Sequence, residues 1–169
     1  RFFAGVVVFK LGKHLERVEE RTAVGKAKFP YIPGLLSFRE APILLKAFTK
    51  LKITPDIILF DGQGIAHPRH FGLASHLGLI LDRPSIGCAK TRLVGEYDCV
   101  ENVMGVYSKL FYKNEVVGAV VRTKINTNPI FISPGHKVNL IFAIRIALKT
   151  CGGYRIPEPV RQAHLLVNR

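Results

Sequence analysis

The chain opens on an apolar run, FFAGVVVFK from Phe2 to Lys10, whose length and Val/Phe content predict a buried strand. Leu11-Gly12-Lys13 supplies a turn, and the more polar stretch from His14 to Val24 predicts a second, more exposed strand paired with the first. FPYIPG, Phe29 to Gly34, carries two prolines and cannot be a helix interior. Arg39 to Leu51 places its apolar residues at helical spacing. DIILFDGQG then reads as a buried strand that ends at Asp61 in a tight turn. Phe71 to Leu81 predicts a helix whose small residues, Gly72, Ala74, Ser75 and Gly78, suit close packing on a sheet. PSIGCAK gives a short buried strand, Ser85 to Cys88, with Lys90 at its exit. Val103 to Leu110 and Val116 to Arg122 predict two strands around Tyr112-Lys113-Asn114, and Ile130 to Ser133 a further one. Val138 to Thr150 predicts a helix stopped by Gly152-Gly153, and the basic, proline-bearing tail a docked segment with a short final helix. Strands and helices alternate irregularly, without repeat or linker. The expectation is one α/β domain over residues 1–169, a mixed sheet with helices on its faces.

Composition narrows the function. Lys and Arg number 25 against 12 acids, giving a net charge of +13 and a pI near 10.0. Such an excess favours polyanions, above all nucleic acid, because neutralising phosphates releases counterions. A solvated basic surface or a generic basic RNA-binding domain would carry the same charge. Apolar residues make up 48% of the chain, enough for one real core. No uncharged apolar run is long enough to span a membrane, and no secretory signal is visible. Cys88, Cys99 and Cys151 have neither CxxC spacing nor a paired Cys/His pattern, so they read as structural thiols of a reducing cytoplasm. A monomer is the expected state.

Asp61 stands out among the four aspartates. It closes an apolar strand, where open α/β sheets place ligands, and Gly62 and Gly64 let the backbone turn sharply beside it. A carboxylate there needs a cation, and a hard ion such as Mg²⁺ or Mn²⁺ supplies one. The competing reading is an Asp that caps the following turn. Glu40, in a first helical turn, is on its own a dipole or capping acid; a pairing with Asp61 would give it a metal role. His136 in SPGHKV has the surroundings of a cap or surface residue. His67, Arg69 and His70 form a basic cluster beside Asp61, either a solvated loop or a phosphate contact. Lys90 is either a snorkelling lysine or a point charge beside a reacting phosphate. The stiff aromatic loop at Phe29, Tyr31 and Ile32 is either ordinary loop packing or a wedge for a base stack.

Taken together, PYIPGLLSFRE (Pro30–Glu40), DGQGIAHPRHFGLASHLGLILDRPSIGCAKTRL (Asp61–Leu93), NPIFISPGHKV (Asn128–Val138) and YRIPEPVRQA (Tyr154–Ala163) resemble the endonuclease V family. Four stretches in family order are far more specific than any short motif. The resemblance implies a ribonuclease H-like fold. It implies a metal-dependent endonuclease, using Mg²⁺ with Mn²⁺ as the alternative ion, that acts on nucleic acid containing deaminated bases. Cleavage would fall at the second phosphodiester 3′ to hypoxanthine, leaving 3′-OH and 5′-phosphate ends, in DNA repair. Residue by residue, it implies metal-site acids at Asp61 and Glu40, a nearby histidine at His136, and a phosphate lysine at Lys90. It implies a wedge at Pro30, Tyr31, Ile32 and Pro33, a base pocket at Gly34, Leu36, Gly62 and Leu93, and phosphate contacts at His67 and Arg69.

Two departures from the family pattern shape the expectation. Gln63 stands where the family commonly has histidine; it cannot titrate, so a hydrogen-bonding role is the one that survives. The family also has an aspartate-bearing strand ahead of the one that resembles FFAGVVVF, and no acid here precedes Glu16. The chain is therefore expected to be an N-terminally incomplete domain, or to fill that place in the sheet with another segment. The alternative function is a catalytically impaired module that binds deaminated or distorted nucleic acid.

Overall fold

The structure, a computed structural model, describes residues 1–169. Its first two strands form a hairpin, β1 (Phe2–Leu11) and β2 (Leu15–Gly25), paired antiparallel with a bulge between Val8 and Phe9. Ala4, Val6 and Val8 point inward and alternate with more exposed neighbours, so this strand is buried on one face rather than both. The helix α1 (Leu36–Phe48) packs Ile43 and Ala47 onto that face. Glu19 of β2 ties the hairpin to the end of α1 by accepting from the Lys52 and Ile53 amides at 2.8 and 2.9 Å. The Lys52 amide holds its carboxyl below the ordinary range, against the opposing pull of burial, with the Ile53 amide and Arg21 adding to the effect.

The rest of the chain builds a mixed five-stranded sheet from β3 (Ile58–Asp61), β4 (Ser85–Ala89), β5 (Tyr107–Tyr112), β6 (Glu115–Val121) and β7 (Ile130–His136). The order is β3-β4-β7-β6-β5, with β3 and β4 parallel and every other pair antiparallel. Alternation sorts the side chains of β3 to two faces. Ile58 and Phe60 meet Ala41 of α1 and Ala74 and Leu77 of α2 (Leu73–Leu81). Ile57 and Leu59 join the opposite cluster, where Ile86, Cys88, Ile130 and Ile132 meet Ala143, Ile144 and Ala147 of α3 (Leu140–Thr150) and Val160 of α4 (Glu158–Val167). Asn139 starts α3 by accepting from the Phe142 amide at 2.8 Å. The three cysteines are free thiols, and no helix is long and apolar enough to cross a membrane.

Most elements fall where the residue pattern puts them, with boundary differences that have local causes. The first central hairpin strand starts at Tyr107 rather than Val103, because Gly105 takes a φ of +89° and its amide turns back to the Arg122 carbonyl. The helix expected from Arg39 begins at Leu36 and accommodates Pro42 in its second turn. The strand expected to stop at Ser133 continues to His136, with a register shift where Ser85 and Ile86 face it.

The hairpin is not hydrogen-bonded to the five-stranded sheet. Between β1 and β3 lies a largely apolar cleft of about 800 Å³, walled by those two strands, by Ile43, Leu44 and Phe48 of α1, and by Val160, Ala163 and Val167 of α4. The cleft floor is held by α4: a side-chain carbon on Gly5 would stand 2.8 Å from Val167 and 2.9 Å from the Ala163 carbonyl.

Gly87 is the strand glycine pressed most closely by opposing backbone. A methyl group there would lie 2.4 Å from the Gly64 nitrogen and 2.7 Å from the Gln63 carbonyl carbon, both backbone atoms. Gly87→Ala should therefore lower the unfolding free energy by about 2 kcal/mol, the usual scale of overpacking. Urea titration checks this; an unchanged midpoint would show that the turn over β4 yields freely.

Candidate active site

Asp61 ends β3 and lies in register with Cys88 of the parallel neighbour. The chain then folds sharply back over β4. Gly62, at φ +158°, donates to the Cys88 carbonyl at 3.3 Å, and the buried Gly64 amide donates to Ser133 Oγ at 2.7 Å. Any side chain at Gly64 would collide with the Pro134 carbonyl, 2.0 Å from its first carbon. The DGQG sequence thus makes a turn pressed flat on the sheet, leaving the Asp61 side chain exposed at the strand end.

Glu40 comes from α1 and lines the same cleft as Asp61. Part of Glu40 remains open to solvent. Desolvation, and after it the negative charge of Asp61, raise its carboxyl above the ordinary value. Two carboxylates that repel one another at the end of a sheet are a site that a cation relieves. No group of three or more His, Cys, Asp or Glu side chains is placed to hold a metal together.

His136 takes a different place. It pairs with Ser85, three residues back along β4 from Cys88, which is about 10 Å at the rise of a strand. There its Nε2 lies 3.2 Å from Asp82, which also receives Lys137 at 2.7 Å. The Lys137 ammonium and then His136 hold the Asp82 carboxyl below its ordinary range, and this group closes the end of α2 rather than joining Asp61. The imidazole that does line the cleft with Glu40 and Asp61 is His164 of α4. The residue pattern offers a signal for it: Val160, Ala163, His164 and Val167 fall at the i, i+3, i+4, i+7 spacing of one helix face. The motif as read from the sequence ends one residue short, at Ala163.

The remaining candidates divide into exposed and buried. Lys90 is exposed just beyond β4, two residues past the register partner of Asp61. Arg69 is exposed, whereas His67 is 7% exposed and its Nδ1 accepts from the Arg69 amide at 3.1 Å. Burial chiefly, and Arg69 next, lower the His67 pKa, while the Gly34 carbonyl opposes them. His67 is thus a neutral brace between two loops, with little surface to offer a phosphate. In the 29–34 loop, Tyr31 is 67% and Ile32 39% exposed, and Pro30 and Pro33 are exposed beside them. Phe29 anchors the loop on Phe38, whose ring stacks 4.7 Å from His76 of α2. Arg39 lies over Tyr31 at 5.9 Å. Gly34, with φ +79°, is partly covered, while Leu36 and Leu93 are exposed apolar side chains.

Comparison with known proteins gives this arrangement its kin. The family model described as Endonuclease V matches residues 1–165. The chain belongs to the endonuclease V family. It is 54% identical over 165 residues to Endonuclease V of Dictyoglomus turgidum, an alignment that covers 98% of this chain and 72% of the relative. Among solved structures, endonuclease V of Streptomyces avermitilis superposes with a TM-score of 0.89 at 38% identity, covering 99% of this chain and 80% of that one. The catalytic domain of human endonuclease V superposes with a TM-score of 0.86 at 30% identity, over 98% and 80%. A Ciona intestinalis endonuclease V variant, solved with a 23mer DNA containing an inosine followed by a ribo-adenosine, gives 0.79 at 27% identity, over 98% and 83%. Membership makes the chain an endonuclease by kind and accounts for the mixed five-stranded sheet flanked by helices.

The raised Glu40 carboxyl has a consequence for stability. An acid whose folded pKa lies above its unfolded value contributes stability below about pH 4.5 and loses it as pH rises through the folded value. In chelator at pH 7, Glu40→Gln should therefore melt higher than the parent, and the gap should close as pH falls toward 4. Added Mg²⁺ should raise the melting temperature of the parent more than that of Glu40→Gln. Thermal melts across pH, with and without metal, check both; a lower melting temperature for the variant in chelator at pH 7 would contradict the electrostatic assignment.

Proposed function

We propose that this endonuclease hydrolyses nucleic acid beside a deaminated base, at the second phosphodiester 3′ to hypoxanthine, and leaves 3′-OH and 5′-phosphate ends in DNA repair. The observation that carries the reading is the Asp61–Glu40 pair: two mutually repelling acids at the end of a sheet, in a chain of endonuclease V kin. The Ciona relative bound to inosine-containing DNA supports the choice of substrate.

The donor set fits a hard divalent ion, since magnesium sites commonly use one or two carboxylates and leave the remaining positions to water and phosphate. Asp61 and Glu40 would hold it, Mg²⁺ with Mn²⁺ as the alternative, and when bound it supplies charge neutralisation at the scissile phosphate and a water of lowered pKa. The chain's own groups do the rest. Asp61, fixed by the flattened turn behind it, accepts hydrogen bonds from the attacking water and orients it. Lys90 places an ammonium against a non-bridging phosphate oxygen, where charge grows in the transition state. His164 of α4 lines the same cleft as Asp61 and Glu40, and we assign the imidazole role to it rather than to His136. Arg69 contacts the flanking backbone while His67 holds its loop in place.

Recognition falls to the 29–34 loop. Its two prolines limit its freedom, so the exposed Tyr31 and Ile32 enter a base stack at low entropic cost, with Pro30 and Pro33 behind them. The displaced base would lodge among Gly34, Leu36, Gly62 and Leu93, with main-chain groups reading the hypoxanthine edge. The basic excess of the chain favours the phosphates on either side. A second reading, binding without cutting, is favoured by the lack of any trio of His, Cys, Asp or Glu side chains placed to hold a metal.

Cleavage of end-labelled oligonucleotides separates the two. Asp61→Asn should slow cleavage of an inosine-containing duplex by on the order of a hundredfold or more while binding holds within about threefold. Chelation should abolish cleavage and Mg²⁺ restore it. Equal cutting of inosine and adenosine strands would remove the base reading. Tight binding with no metal-dependent cleavage would establish the second reading instead. Matched DNA and RNA strands in the same assay assign the sugar preference, because 2′-OH contacts leave no short motif.

A further inference from the structure

Lys90 is an exposed side chain on a segment that has left its strand, so its own packing does not fix its place. Its main chain, however, is held from two directions. From the Asp61 side, Gln63 Nε2 donates to the Thr91 carbonyl at 3.2 Å. From the opposite side, Arg155 Nη2 donates to the Lys90 carbonyl at 3.1 Å. Both anchors are themselves fixed. Gln63 sits in the turn pressed onto β4, its carbonyl accepting from the Ala74 amide at 3.0 Å and its neighbour Gly64 bound to Ser133. Arg155 spans to the Asn128 carbonyl at 2.7 Å and the Pro129 carbonyl at 3.4 Å, and its own carbonyl accepts from Thr123 Oγ1. The Gln63 amide has one usable orientation, because its reverse would set an oxygen against the Thr91 carbonyl oxygen.

We propose that Gln63 and Arg155 are positioning residues that clamp the Lys90–Thr91 main chain and so set where the Lys90 ammonium stands relative to Asp61. The clamp itself follows from the hydrogen bonds; its purpose rests on the nuclease reading of Lys90. A histidine at position 63, the residue its family commonly has there, also presents an N–H and fills the same role. Gln63 is then a donor-conserving replacement.

The test combines kinetics with hydrogen exchange. Gln63→Met and Arg155→Met are made alone and in a Lys90→Met background, with Gln63→His as the conservative variant. Each clamp variant should slow single-turnover cleavage of an inosine-containing DNA duplex with Mg²⁺ by on the order of tenfold, roughly the worth of one hydrogen bond. Half-saturation should shift less than about threefold, because the loss concerns a contact made in the transition state. In the Lys90→Met background the same changes should cost nothing further, and Gln63→His should recover the parent rate. Amide exchange over residues 90–93 of the free protein should speed up in both Met variants. Unchanged exchange overturns the clamp. Faster exchange with an undiminished loss in the Lys90→Met background overturns its link to Lys90. If the parent cuts nothing, the nuclease reading fails, and the exchange result alone still decides whether the clamp exists.

Discussion

The turn after β3 and the strand beneath it approach so closely that only hydrogen, not carbon, fits between them. Gly64 donates to Ser133, Ile65 donates to the Pro134 carbonyl at 2.8 Å, and Gly72 donates to the Gly64 carbonyl at 2.9 Å. Gly64, Gly72 and Gly87 each lack room for a methyl group on a backbone atom of the opposing segment. This contact fixes three things at once. It sets the end of β3 and so the place of Asp61. It sets the start of α2, whose Ala74 amide donates to the Gln63 carbonyl. It also joins β3 to β7 across β4, so the sheet end and the site share one rigid body. A single added carbon at any of the three glycines would move Asp61, α2 and β7 together, because densely packed interiors transmit strain.

Against that rigid floor the electrostatics are arranged by contrast. The chain carries 25 basic residues to 12 acids, yet Glu40, Asp56 and Asp61 all line the cleft, and Asp61 raises the carboxyl of Glu40. Arg39, Arg69, Lys90 and Arg92 are the sequence neighbours of the site elements and all are basic. Polyanion attraction thus acts at long range while the cleft keeps a local demand for a cation. The two requirements do not compete, because screened surface charge reaches only about 8–10 Å at ordinary salt.

Residue pattern alone gave the elements well and the site in part, and the divide has a physical reason. The strand ending at Asp61 was legible because four apolar residues, an acid and two glycines act locally. The small-residue helix α2 was legible for the same reason. Glu40 was ambiguous from its own surroundings, since an acid in a first turn is commonly a dipole residue; only the packing of α1 across the cleft brings it to Asp61. For His136 the local reading as a cap or surface residue agrees with its place, while the metal-site role implied by the resemblance does not. The residue sits in a distinctive local sequence, but β7 runs antiparallel to β4 and carries it to the far end, beside Asp82. His164 was missed although its spacing with Val160, Ala163 and Val167 marks one helix face, because what that face meets depends on α4 lying against β1, a contact between opposite ends of the chain. The bonds from Arg155 and Gln63 to the Lys90–Thr91 main chain are likewise long-range and run to carbonyls, which no side-chain pattern encodes.

The site also lies at a joint. Asp61 belongs to the five-stranded sheet and Glu40 to the helix that packs on both the hairpin and that sheet, while His164 belongs to a helix docked against β1. Nothing in the hydrogen-bonded ladder connects β1 to β3, so the spacing of the three side chains depends on side-chain packing of α1 and α4 rather than on strand pairing. Packing of this kind is less directional than a ladder, and elements held by it open at lower free energy than the sheet itself. Asp61 is therefore placed by the ladder and the turn, and Glu40 and His164 by the packing of α1 and α4.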